Sequence, residues 1–337
     1  MLGSVLGAHL SQMLTLPAPF LNRRSLLTGA GSLFATPVCA GETVSPAEQI
    51  LASRIKDPVE ALRLYIKLNA DASGKPVYGW FSGHVYAINQ GQITTPLFGI
   101  EGYGMGWSAP QAGGSFRQIW KEVGFYKDLK SGAILETWQN PLNKAACEVM
   151  HIHNRSVNVT MVPVGQPVSF PGMDIAVGGD LTEPSGGMQP FSVPWFVNGD
   201  TVACTMDTRL SGPQPLSPKE WPRESSGDRH SVTEFLMHYA SLKQLLDPRV
   251  TNVAAVAHWT RICAWLPWML MGQAPGEIIY RSVSKKLVRF EDIPEHLRAY
   301  SKAHFPEFLE LSTPEEQKMP PESSFEVFKA TRRPSPV

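Results

Sequence analysis

The residues best suited to moving protons lie close together in the chain. His151 and His153 stand two apart, with Tyr126 and Asp128 a short distance upstream. On an extended strand alternate side chains share a face. Cys147, Val149, His151 and His153 would then point one way, with Glu148, Met150 and Ile152 opposite. Neutral imidazole titrates near working pH, so His151 or His153 is a natural proton carrier, helped by Tyr126 or Asp128. The backbones of two such histidines lie about 6.5–7 Å apart, close enough for both rings to share a divalent ion. A metal needs at least a third protein ligand. His84, His238, His258, Glu101 and Asp128 are all eligible, and no spacing selects one. The structural alternative is one histidine ending the strand in solvent and the other hydrogen-bonded inside.

A second group could hold a substrate. Trp259, Arg261, Trp265, Pro267, Trp268, Met269 and Met271 crowd many indoles around one guanidinium. Aromatic rings supply large apolar walls, and arginine pairs well with a carboxylate. The alternative is a helix laid over the core, with the tryptophans as packing. Trp138-Gln139-Asn140-Pro141 is read the same two ways: Trp138 and Asn140 either line a cavity mouth or cap a hairpin, the latter being common Asn-Pro turn chemistry. No GxSxG, phosphate loop or dinucleotide fingerprint occurs. Gly102-Tyr103-Gly104-Met105-Gly106 has the wrong spacing for nucleotide binding.

These residues must be carried by a β-rich scaffold. The 29 prolines and 28 glycines imply many turns. Residues 46–70 carry helical spacing, which Pro58 should break into two helices. Strands are expected at Val77–Ile88, Phe116–Tyr126, Ala133–Trp138, Ala145–His153, Val157–Val162, Phe191–Val197 and Thr201–Thr208. Connections fall at 127–132, 140–144 and Asn198-Gly199-Asp200, the last a strong hairpin signal. The region 163–190 reads as a long irregular excursion. Ser231 and Glu234 have capping-box spacing before Phe235, Leu236, Tyr239, Leu242 and Leu246, which predicts a helix. Strand segments at 277–280 and 286–290, a short helix near 294–302 and a polar, proline-rich tail follow. The expected class is mainly β (α+β): an antiparallel, lipocalin-like barrel or sandwich with packed helices.

Lysine plus arginine equals aspartate plus glutamate, 30 against 30, so no net field steers the chain to nucleic acid. Arg23 and Arg24 precede a mild apolar run, Leu26 to Val38, and a small-residue site at Ala40. That is the pattern of a twin-arginine export signal over residues 1–40, recognised by the export machinery and leading to the periplasm. Met13 would give a more ordinary start. Residues 41–337 are then a single β-rich domain with helical additions. Beyond Ala40 the cysteines are Cys147, Cys204 and Cys263: one disulfide with a spare thiol, or three buried thiols.

The segment Tyr126-Lys127-Asp128, Gly132, Leu135, Trp138, Asn140-Pro141, Glu148-Val149 and His151, joined to Trp265-Leu266-Pro267-Trp268-Met269-Leu270-Met271-Gly272, resembles a bacterial and fungal domain family of unknown function, the DUF1838-like family. The resemblance spans most of the chain beyond the signal and implies one domain and twin-arginine export. Arg155 and Ser156 stand where that family carries an acidic residue and a proline.

Three functions compete. The first is an exported, cofactor-independent lyase, decarboxylase or isomerase acting on a small apolar or aromatic molecule. Its substrate would be held by Arg261, Trp138, Asn140, Trp265 and Trp268. The second is a periplasmic carrier of an apolar ligand, and the third a metalloenzyme built on the two histidines. A homo-oligomer is left open.

Overall fold

The computed structural model describes residues 44–89, 91, 94–165, 174–177, 189–319 and 324–336. The expected export signal and most of the excursion over 163–190 lie outside them. Ser45–Val337 forms one compact unit.

The chain opens with two helices, α1 (Pro46–Arg54) and α2 (Pro58–Asn69). Ser45 and Glu48 close a capping box on α1, and Asp57 caps α2 immediately before Pro58. The expected break at Pro58 is therefore a helix start, where a missing N–H costs nothing.

Next come strands β1 (Val77–Ile88), β2 (Thr95–Pro110), β3 (Phe116–Lys127), β4 (Thr137–Gln139), β5 (Ala146–Glu148) and β6 (Ile152–Met161). Short pieces β7 (Val164–Gly165), β8 (Asp174–Val177) and β9 (Gln189–Pro190) precede β10 (Trp195–Asn198) and β11 (Thr201–Pro213). Then follow β12 (Arg229–Ser241), α3 (Leu242–Leu246), β13 (Ala255–Cys263), β14 (Glu277–Leu287), α4 (Glu295–His304) and α5 (Ser324–Thr331). One antiparallel sheet runs β10-β11-β12-β13-β14-β1-β2-β3-β6, with β8 also beside β11. The class is mainly antiparallel β, as expected, but the barrel expectation is corrected: the sheet is open. Among the described residues its edges β6 and β10 do not pair. Met161 and Trp195, from those two edges, instead pack into one cluster with Leu62, Leu64 and Leu68 of α2. Apolar packing on a helix joins the edges where strand hydrogen bonds would have closed a barrel.

The helix expected from Ser231 is also corrected. Residues 229–241 are strand β12, paired on both sides, with Ser231 opposite Ser211 and Glu234 opposite Thr208 and Arg261. Only 242–246 are helical. Phe235 and Tyr239 are exposed on one face, and Val232 is buried on the other. A spacing of four fits one helix face and one strand face equally, and the long-range ladders decide. Strands β2 and β13 and helix α5 had no expected counterpart. The segments at 277–280 and 286–290 belong to one strand, β14, which spans the first and ends at Leu287.

Candidate functional site

The sheet curls into a trough, and alternation decides which side chains enter it. From β12 the even residues 230 to 238 face inward, from β13 the odd residues 255 to 261, and from β14 the even residues 280 to 286. Register aligns them into rungs: Glu234–Arg261–Tyr280, then Leu236–Trp259–Ser282, then His238–Ala257–Ser284. They line a cavity of about 440 Å³ together with Trp120, Glu122, Tyr126 and Asn154 from β3 and β6. Trp268, from the turn after β13, and Phe325 and Phe328 of α5 complete the wall.

Alternating glycines form the opposite floor. Gly102, Gly104 and Gly106 of β2 sit beneath the rings of Phe81 and Trp120. A Cβ at Gly104 would strike the Trp120 indole, and one at Gly102 would strike Phe81 and the Val123 carbonyl. These glycines, whose spacing does not suit nucleotide binding, let two aromatic rings lie flat on the sheet.

Polar groups meet across this trough. Arg261 Nη1 lies 3.2 Å from Glu234 Oε1 on the neighbouring strand. Burial works against its charge, but the Glu234 carboxylate and the nearby Cys263 thiol and phenols hold the guanidinium ionised. Tyr126 and Tyr280 place their hydroxyls 2.8 Å apart, and burial pushes both phenols upward. Glu122 accepts a 2.7 Å hydrogen bond from Asn154 Nδ2. Burial raises its carboxyl above the usual range, against the pull of Asn154. Glu122 and Arg261 both line the cavity.

The residues expected from sequence separate into two sets. Arg261, Tyr126, Trp268 and His151 all line the cavity. His151, however, has its nitrogens engaged: Nδ1 accepts from the Tyr126 amide at 3.2 Å, and Nε2 faces the Tyr300 hydroxyl at 3.4 Å. Burial lowers it to about 4, so it is neutral and holds Tyr126 in place. Tyr300 in turn bonds Glu136.

The other expected site residues lie elsewhere. His153 Nδ1 bonds the His151 carbonyl at 2.9 Å, and its ring stacks on Phe305. The expected shared face of the two histidines is corrected: β5 ends at Glu148 and β6 begins at Ile152. Here the chain leaves the β4–β5 hairpin for the main sheet, and the alternation restarts. Among the described residues no group of three or more His, Cys, Asp or Glu side chains could hold a metal. Asp128 caps its turn, accepting from the Lys130 and Ser131 amides. Asn140 is fully buried and donates to the Met269 carbonyl at 2.8 Å, pinning the turn that presents Trp268. Trp138 packs edge-on behind Trp268, and Trp265 bonds Ala274 O within the core. Cys147, Cys204 and Cys263 are three buried free thiols.

Glu122, Glu234 and Asn154 are site residues that the sequence does not mark as such. Their usable signal was a polar or charged side chain on the inward-facing positions of a strand. Glu234 was masked by its resemblance to a helix cap.

A family model described as "Protein of unknown function (DUF1838)" matches residues 74–332. No curated protein matches the chain. Among solved structures, a triple mutant of the Rh. blastica porin aligns at 8% identity, over 63% of this chain and 99% of that one, with a TM-score of 0.17. At that score the likeness carries no argument.

Proposed function

The chain belongs to the DUF1838 family, whose function is unknown, and we propose that its trough is the site of a cofactor-independent proton transfer on a small organic molecule. The observation that carries this reading is Glu122. A carboxyl held above its normal range by burial is better suited than a free one to give and take a proton. It shares one cavity with an arginine and a pair of un-ionised phenols, of which the one that accepts from the other keeps its own O–H to donate to a developing oxyanion. In the proposed step Glu122 removes a proton from carbon beside a carbonyl and returns it elsewhere on the same substrate. Arg261 or the tyrosine pair stabilises the enolate between the two transfers. This is an isomerase-type reaction and balances without an oxidant or reductant.

His151 is given a positioning role here rather than a catalytic one, since its Nδ1 lone pair is used by the Tyr126 amide. Aromatic rings of Phe81, Trp120, Trp259 and Trp268 give the substrate its apolar walls. We further propose export to the periplasm, on the strength of Arg23, Arg24 and the run that follows.

Solvent deuterium incorporation into a panel of ketones and enones, read by mass spectrometry, tests the reaction. Glu122→Gln should slow exchange by roughly 100-fold or more, with ligand affinity unchanged. Full exchange activity in that variant would remove Glu122 from the chemistry. A carrier role is the second reading, favoured by the internal pairing of Arg261 with Glu234 and of Tyr126 with Tyr280. Tight ligand binding without exchange on any compound would support it.

A further inference from the structure

Three polar atoms on one wall of the trough have no hydrogen-bond partner among the described residues: Arg261 Nε, Ser282 Oγ and His238 Nδ1. All three residues line the cavity. Ser282 is 2% and His238 7% exposed, so bulk water does not reach either side chain freely. Buried polar groups are nearly always satisfied, and several orphans on one wall therefore point to a ligand.

Their placement gives the ligand a length. Arg261, Ser282 and His238 belong to successive rungs of the same face. Rungs two residues apart are separated by about 6.6–6.8 Å along the strand, so the three atoms span roughly 13 Å. Leu236 and Trp259 make the stretch between the ends apolar.

Their surroundings fix the ligand's charge. The Arg261 guanidinium already has the Glu234 carboxylate at 3.2 Å on Nη1, so its charge is balanced within the protein, and a ligand carboxylate at the free Nε–H would bring a second negative charge beside Glu234. Lys286, the nearby amine, donates to the Lys67 and Ala70 carbonyls at 2.8 and 3.0 Å, and burial lowers its pKa to about 7. Burial, reinforced by Lys286, keeps His238 neutral, with its pKa lowered to about 4. Taking the trough as the binding site, we infer that it accepts an uncharged, elongated molecule with an oxygen near each end and an apolar middle. A long diol or hydroxyketone fits; a fatty acid or an amine does not. The carboxylate expected for Arg261 from sequence is replaced by a neutral oxygen.

The test uses the folded protein beyond Ala40 and three ten-carbon probes: the α,ω-diol, the monoalcohol and the fatty-acid anion. Binding is followed by calorimetry, with no turnover required. The diol should bind about tenfold more tightly than the monoalcohol, and the anion more weakly than both. His238→Leu should erase the preference for the diol. Ser282→Ala, the milder change, should reduce diol affinity severalfold and serves if the first variant does not fold. An anion that binds as well as the diol, or a preference untouched by both variants, would overturn the inference while leaving Glu122 as the proton carrier. If none of the probes bound, the trough itself would be rejected as the site.

Discussion

The phenolic oxygens of Tyr126 and Tyr280 lie 2.8 Å apart, although β1 and β2 stand between their strands in the sheet. Only a tight curl brings side chains from β3 and β14 into contact, so this bond reports the trough directly. Tyr126→Phe leaves a buried Tyr280 hydroxyl without its partner and should cost about 1–3 kcal/mol in urea unfolding. The double variant, with Tyr280→Phe added, should be less destabilised than the sum of the singles. Strict additivity would mean that the hydroxyls do not interact in solution.

The floor of the trough should tolerate no side chain at Gly104. Gly104→Ala drives a methyl into the Trp120 indole and should lower stability by about 1–3 kcal/mol. Trp120→Leu in the same chain should recover part of that loss. A Gly104→Ala protein as stable as the parent would show that the ring does not rest there.

Glu234 and Arg261 should behave as a unit. Each borders the cavity, so the loss is discounted from a fully buried pair: Glu234→Gln alone should cost about 1–2 kcal/mol. Combining it with Arg261→Met should leave a coupling of about 0.5 kcal/mol or more in a double-mutant cycle. A coupling of zero would deny the ion pair.

Acid should weaken the fold in a defined window. His238 and His151 titrate at about 4 in the folded protein, against about 6.5 when free. With the folded value depressed, the unfolded chain binds protons first as pH falls. The histidine contribution is therefore full above about pH 6.5 and is lost progressively down to about pH 4. Glu122, raised by burial, contributes in the opposite sense, so the informative quantity is a difference between proteins. His238→Leu should flatten the slope of unfolding free energy in that window by up to ~1.4 kcal/mol per pH unit. Parallel curves for variant and parent would mean that His238 titrates normally.

Export is tested in cells rather than in the folded protein. Replacing both Arg23 and Arg24 by lysine should trap the unprocessed chain in the cytoplasm of a bacterial host. Periplasmic recovery of that variant, cut near Ala40, would refute the twin-arginine assignment.

Local chemistry wrote much of this protein into its sequence. Pro58 behind Asp57 started a helix, Asn198-Gly199-Asp200 turned a hairpin, and alternating apolar runs gave β1, β3 and β11, because each depends on residues a few positions apart. Arg261, Tyr126 and Trp268 were legible as site candidates from residue type alone. The long-range ladders were not legible. Glu234 looked like a helix cap until β11 and β13 paired on either side of it, and the glycines of β2 looked like punctuation until Trp120 and Phe81 lay over them. His151 and His153 parted because the chain changed hydrogen-bonding partners between β5 and β6. Whether two residues share a face follows from their neighbours in the chain only while one ladder persists. Which residues share a cavity follows from the curl of the whole sheet, a sum over many distant pairings that no short window contains.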